Sequence, residues 1–257
     1  AGDPPRNHDD LARRLVNSVE EAGGRIFGEA RADRTRRGMG TTATIAALLD
    51  ARLFVAQVGD SRAYVLRGDK FVQVSRDQSL VNQLIEAGQL TEEEAETFEH
   101  NNIILQALGP EATIKVDLTH QQVRRGDLLV LCSDGLSGQL RSDDITRIVN
   151  EAPDIQTACE RLIDRANDLG GPDNITVVVA RFDGEGLTDP GASDDVGHRT
   201  LPLAGDSGQT PAVDRIGTAT TSEMPIASHV FSQLPPGAYV LSSPAHDAAA
   251  AQRRRRG

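Results

Sequence analysis

Two short apolar runs constrain this chain more than any other feature. Leu128-Leu129-Val130-Leu131-Cys132 has Asp134 just beyond its end, and Ile175-Thr176-Val177-Val178-Val179 has Asp173 just before its start. Runs of this length and branching predict strands buried within a sheet structure. A carboxylate at the mouth of a buried strand is costly unless an opposite charge meets it. The few basic residues nearby do not supply that charge, whereas a divalent cation does. Oxygen donors of this kind suit magnesium or manganese rather than zinc. Each aspartate also has an ordinary explanation when taken alone. Asp134-Gly135 is a turn pair, Pro172-Asp173-Asn174 suits a type I turn, and Gly59-Asp60, a third site of this kind, is a common hairpin turn. The six histidines are scattered, three of them beyond residue 183, and offer no ligand set.

The rest of the chain frames these strands. Leu11, Leu15, Val19, Ile26 and Ala30 recur at helical spacing, which predicts an amphipathic helix with a break near Gly23-Gly24. Residues 41–49, 52–58, 63–66 and 71–74 are short β-branched or alternating runs. Gly59-Asp60 and Gly68-Asp69 lie between them, so successive antiparallel hairpins are predicted. Helices are predicted over 79–87, 91–97, 142–150 and 155–168, the second opened by a Thr91/Glu94 capping box. Strands are predicted over 114–118, 127–132 and 175–182. Strands in consecutive hairpins with helices in pairs predict an α+β fold, helices packed on antiparallel sheets. Trp is absent and aromatic residues make up 3 % of the chain, so Val, Ile, Leu and Ala must build the core.

Apolar periodicity stops near Asp183. The 184–257 segment, with 8 acidic and 6 basic residues, is rich in Pro, Gly and Ala and predicts a disordered tail after a packed 1–183 domain. It ends in Arg253, Arg254, Arg255 and Arg256. That run is either a solvated charge block or the cytoplasmic flank of a membrane anchor outside the chain. A net charge of −11 argues against a nucleic-acid partner. No apolar run approaches the ~18 residues of a membrane helix. Two cysteines, Cys132 and Cys159, make neither a disulfide framework nor a zinc site, and a reducing, cytoplasmic setting fits. Residue 1 is Ala, so the natural start is expected upstream.

Five stretches, in order, resemble the metal-dependent protein serine/threonine phosphatases of the PP2C (PPM) family in their bacterial form. They are Arg37-Gly38-Met39-Gly40-Thr41-Thr42-Ala43-Thr44, Val58-Gly59-Asp60-Ser61-Arg62-Ala63-Tyr64, Asn102-Ile103-Ile104-Leu105-Gln106-Ala107-Leu108-Gly109, Leu131-Cys132-Ser133-Asp134-Gly135-Leu136-Ser137 and Gly171-Pro172-Asp173-Asn174-Ile175-Thr176. The resemblance covers about residues 9–183. It implies two antiparallel sheets sandwiched between pairs of helices. It also implies two or three manganese or magnesium ions that orient and acidify a bridging water for in-line attack on phosphorus. Asp134 and Asp173 then resemble the catalytic metal ligands. Asp60 resembles the ligand of an additional ion shared with Asp134. Asn174 resembles a residue that holds Asp173 by hydrogen bonding. The segment from about Asp77 to Gly109 resembles a flap beside the site, with Gln78 where members often carry His.

The family's opening pattern of an Arg, a Glu-Asp pair and Asp-Gly-Met-Gly-Gly-His is absent, and with it the carboxylate that bridges both ions. Gly38-Met39-Gly40 belongs to the later Gly-Met-Gly-Thr-Thr motif. The domain is therefore expected to be incomplete at its N-terminus, and this chain alone to be inactive or weakly active. The expected function is hydrolysis of phosphoserine and phosphothreonine in proteins, opposing a bacterial Ser/Thr kinase in signal transduction. The alternative is a non-catalytic, phosphatase-like binding domain.

Overall fold

Period-two alternation builds the layers. Strand β2 (Arg52–Val58) turns Leu53 and Val55 to one side and Phe54, Ala56 and Val58 to the other, all buried. β3 (Arg62–Arg67) does the same with Ala63 and Val65 against Tyr64 and Leu66, and β7 (Leu128–Cys132) with Leu129 and Leu131 against Leu128, Val130 and Cys132. Strands with two apolar faces must be covered on both. The computed structural model describes residues 4–96, 98, 102–191, 194–197, 199–201 and 239–240.

One antiparallel sheet orders β1 (Ala43–Leu49), β2, β6 (Asp117–Gln122) and β9 (Arg199–Thr200). The other orders β4 (Lys70–Gln73), β3, β7 and β8 (Val177–Arg181). Leu53, Val55, Ala63, Val65 and Leu129 fill the space between the sheets. Helix α1 (His8–Ala32) covers the outer face of the first sheet with Ala12, Val16 and Val19 against Phe54, Ala56 and Leu118. Helices α5 (Ser142–Glu151) and α6 (Ile155–Asp168) cover the second through Ile145, Ile148, Ala158 and Leu162. The architecture is the α+β double-sheet sandwich. A pair of helices flanks one face, and α1 alone, among the described residues, flanks the other. No described helix is long and apolar enough to cross a membrane.

Several local expectations change. Helix α1 is unbroken at Gly23, which is buried where a Cβ would lie 3.0 Å from Ile114. Close packing there outweighs glycine's low helix propensity. Gly59-Asp60 is not a hairpin turn: β2 pairs with β1 and β6, β3 with β4 and β7, so this turn carries the chain from one sheet to the other. Strand β6 begins three residues later than predicted. Packing continues past Asp183, because Leu187 and Val196 are buried among the inter-sheet side chains and Arg199–Thr200 pairs with β6. Two-residue strands β5 (Ile103–Ile104) and β10 (Tyr239–Val240) also pair with each other. Arg253–Arg256 lie outside the described residues.

Candidate functional site

The crossover that bears Asp60 is gripped from several sides. Gly59 adopts φ +98°, and a Cβ there would run into the Thr42 side chain, so only glycine fits. Gln57, 1 % exposed, donates through Nε2 to the Gly59 carbonyl (3.0 Å) and the Ser61 carbonyl (2.7 Å), and accepts from the Thr44 hydroxyl at 2.7 Å. The Thr42 and Ser61 hydroxyls meet at 2.9 Å. The first and second motifs therefore interlock, and Asp60 is held between them.

Beside it, Arg62 opens β3 and donates from Nε and Nη2 to a single oxygen of Asp77, Oδ2, each at 2.8 Å. Its Nη1 reaches the Tyr64 hydroxyl at 3.4 Å. Asp77 is 5 % exposed, and its other oxygen, Oδ1, is buried without a hydrogen-bond partner. Burial raises the Asp77 carboxyl despite Arg62. Asp60 is pushed up to about 7, first by burial, then by the charges of Asp134 and Asp77.

The other side of the site is the paired end of β7 and β8, where Cys132 lies opposite Val177. Past it, Ser133 donates to the Asn174 carbonyl at 3.1 Å and accepts from the Thr176 amide at 3.0 Å. Gly135 packs so closely on the Asn174 carbonyl that a Cβ would overlap it. These ties bring Asp134, first residue of the one-turn helix α4 (Asp134–Ser137), beside Asp173. The Asp134 carboxyl is raised first by loss of hydration, then by the Asp173 charge, while the Gly135 amide opposes the shift at 3.0 Å. Asn174 does steady Asp173, but through its backbone amide (2.7 Å) rather than its side chain. Cys132, directly behind, is pushed up to about 11 mainly by burial, so it stays a neutral thiol.

The four predicted residues Asp60, Asp134, Asp173 and Asn174 thus meet at one end of the sandwich, Asp134 neighbouring both other carboxylates. Sequence reasoning missed two participants, Asp77 and Gln57, and noted Gln78 only as a departure where family members often carry His. Asp77 and Gln57 gave no periodic signal of their own; the available sign was that Asp77 opens the stretch that resembles a flap. In kind, the donors fit a hard divalent ion: the charges of Asp134 and Asp77 raise Asp60, the charge of Asp173 raises Asp134, and one Asp77 oxygen is buried and unpaired. In arrangement they converge in pairs, and among the described residues no three His, Cys, Asp or Glu side chains stand together as a ready-made metal cage.

The family model for protein phosphatase 2C matches residues 2–168. Protein phosphatase PhpP of Streptococcus pneumoniae is 40 % identical over 153 residues, 60 % of this chain and 62 % of PhpP. The serine/threonine phosphatase stp of Listeria innocua is 34 % identical over 165 residues, 64 % of this chain and 66 % of its own length. This chain therefore spans a little under two thirds of either relative. The solved catalytic domain of the serine threonine protein phosphatase PstP, in complex with two manganese ions, superposes with a TM-score of 0.62 at 34 % identity, covering 70 % of this chain and 73 % of that one. With its motifs in order and its sheets stacked in the same way, the chain belongs to the protein phosphatase 2C family.

Proposed function

We propose that this protein hydrolyses phosphoserine and phosphothreonine esters in proteins, with manganese or magnesium at the Asp60–Asp134–Asp173 site. The observation that carries the reading is the crowding of carboxylates at one mouth: Asp60 is pushed up to about 7 by burial and then by the Asp134 and Asp77 charges, and Asp134 is raised by burial and then by the Asp173 charge, an arrangement that a cation relieves. A divalent ion bound there supplies Lewis acidity toward water and the phosphoryl group. Asp134 and Asp173 would hold it, and Asp60 with Asp134 would hold a further, exchangeable one. The residues' own work is positional. The Ser133 hydroxyl keeps the two strand ends in register, the Asn174 amide orients Asp173, and Arg62, pinned by Asp77 and Tyr64, offsets part of the negative charge. A site for more than one ion would need carboxylates that serve both, and of the three only Asp134 neighbours both others, so turnover by these 257 residues is expected to be slow. The relatives are phosphatases by name, and nothing in the geometry favours the purely binding alternative.

A bacterial Ser/Thr kinase as opponent, a cytoplasmic working place and a membrane tether beyond Arg253–Arg256 belong to the same proposal. The test is hydrolysis of p-nitrophenyl phosphate and a phosphothreonine peptide in saturating manganese, with EDTA as control. Asp134→Asn should lower the rate at least ~100-fold. Equal rates in wild type and variant, or rates indifferent to EDTA, sink the reading.

A further inference from the structure

Gln78 is 7 % exposed and bonds to Gly59, to Leu105 and to Lys115 and Asp117 at once. Its Oε1 accepts from the Gly59 amide at 2.9 Å, while its own backbone N–H donates to the Gly59 carbonyl at 3.0 Å. Both hydrogen-bonding groups of Gly59 therefore close on one residue. Its Nε2 donates to Asp117 Oδ2 at 2.8 Å and to the Lys115 carbonyl at 3.3 Å, at the entrance to β6. Its carbonyl accepts from Leu105 at 2.8 Å, and the next residue, Ser79, bridges to Ile104, both in the segment that resembles a flap.

We propose that Gln78 is a positioning residue that clamps the Gly59-Asp60-Ser61 crossover to β6 and the flap, and so fixes where the Asp60 carboxylate stands. The clamp's chemistry requires an amide. One end of the side chain must accept from an N–H while the other donates to both a carboxylate and a carbonyl. A neutral carboxamide carries that acceptor and two N–H donors on a single planar group. A neutral imidazole, the side chain family members often carry here, has one donor and one acceptor, and it loses the acceptor on protonation. Gln57 braces the same turn from the opposite side and its backbone pairs with Asp117 of β6, but its side chain reaches only Thr44, Gly59 and Ser61, so among the described residues it is the Gln78 side chain that ties the turn to the entrance of β6 while its backbone holds Leu105 of the flap.

The inference rests on the metal-holding role proposed for Asp60, and its test separates the two. The metal-free full chain is compared with Gln78→Leu, and with Gln78→Asn, whose shorter side chain fits the space but cannot span it. Amide hydrogen exchange is read at Gly59, Asp60 and Ser61, with Val130 of β7 as the folding control. Both variants should speed exchange at all three positions roughly tenfold or more, with Val130 unchanged. Manganese titration should then show affinity weakened by a similar factor, and Gln78→His should recover part of the loss. Unchanged exchange at Asp60 and Ser61 in a folded variant overturns the clamp. Faster exchange with unaltered manganese affinity reduces Gln78 to a fold residue and overturns the positioning role. A wild-type chain that binds no manganese defeats the metal reading of Asp60, while the exchange arm still decides the clamp.

Discussion

Strand β3 has an Arg–Asp pair at each end, and the two ends differ. At the far end Arg67, 7 % exposed, grips Asp127 through two parallel bonds, Nε to Oδ1 at 2.9 Å and Nη2 to Oδ2 at 2.7 Å. It also donates to the Gln122 carbonyl (3.0 Å) and the Asp195 carbonyl (3.1 Å), and Asp127 takes a further bond from the Arg124 amide at 2.8 Å. Both carboxylate oxygens are used. At the near end Arg62 puts two donors on one oxygen of Asp77 and leaves the other buried and unpaired. Identical residue types thus make a closed tie at one end and an unfinished one at the other. A fully satisfied buried pair fastens a fold, whereas an unsatisfied one holds a position of high energy that a ligand can relieve. Asp60 and Asp134 stand beside the unfinished pair.

Removing each arginine in turn separates the two ends most strongly. Arg67→Met leaves the Asp127 carboxylate, 1 % exposed, with the Arg124 amide and no opposite charge, and should cost about 3–5 kcal/mol in urea unfolding. Arg62→Met should cost less, about 1–2 kcal/mol. Its side chain is 35 % exposed, and Asp77, already raised, can take up a proton in place of the lost partner. Equal costs at the two ends would erase the distinction drawn between them.

This contrast marks where sequence reading succeeded and stopped. Strand β2 and helix α6 have their predicted bounds because their periodicity is uninterrupted. Asp134 was legible because it follows the buried β7 run, whereas the buried strand expected after Asp173 is the edge strand β8, which starts at Val177 and leaves Val178 50 % exposed, because no further described strand covers that edge. Strand β6 was displaced because its buried face is polar: Thr119 sits between the sheets by giving its hydroxyl to the Val74 carbonyl, and Gln121 is buried two residues on. No hydropathy pattern marks such a strand. Asp77 and Gln57 gave no signal, and Gln78 only a departure from a family pattern, for a related reason. Their burial arises from segments 13 to 39 residues apart in sequence closing around them, and nothing local to them encodes that. The Gly59 crossover read as a hairpin because a Gly-Asp pair looks the same whether the next strand joins the same sheet or the opposite one.

The unfinished end should also respond to pH in the opposite sense to an ordinary acidic site. A folded carboxyl raised from 3.8 to about 7 binds its proton more tightly than the unfolded chain does. Across that window the folded state carries more protons, so stability is present below pH 4 and is lost as pH rises toward 7. The raised Asp77 and Asp134 carboxyls act in the same direction. In EDTA the metal-free protein should lose on the order of 1–2 kcal/mol between pH 5 and 7.5, with solvent screening of the partly open cluster allowed for. Asp60→Asn should flatten the curve, and manganese at pH 7.5 should restore stability by mass action. A metal-free protein that gains stability over the same interval would contradict the crowding of these carboxylates.

The smallest effect is expected at Ser133, and it separates fold from site within the β7–β8 mouth. Its hydroxyl makes two bonds across the strand ends, donating to Asn174 and accepting from Thr176, yet it is open to solvent. Water can replace both partners in Ser133→Ala, so the stability cost should stay near 0.5–1 kcal/mol. The geometric cost is larger than the energetic one, because beyond the last paired residues, Cys132 and Val177, these two bonds and the Ser133 amide bond to the Thr176 carbonyl at 3.1 Å register Asp134 against Asp173, and only the last survives in Ser133→Ala. If the strand ladder alone positions the two carboxylates, Ser133→Ala leaves manganese affinity unchanged. If the hydroxyl bridge does so, affinity falls about threefold to tenfold while the unfolding midpoint barely moves. Isothermal titration beside urea unfolding on the same sample reads both quantities. The second outcome is expected, because Gly135 packs so closely on the Asn174 carbonyl that even a small shift of that loop displaces Asp134 with it.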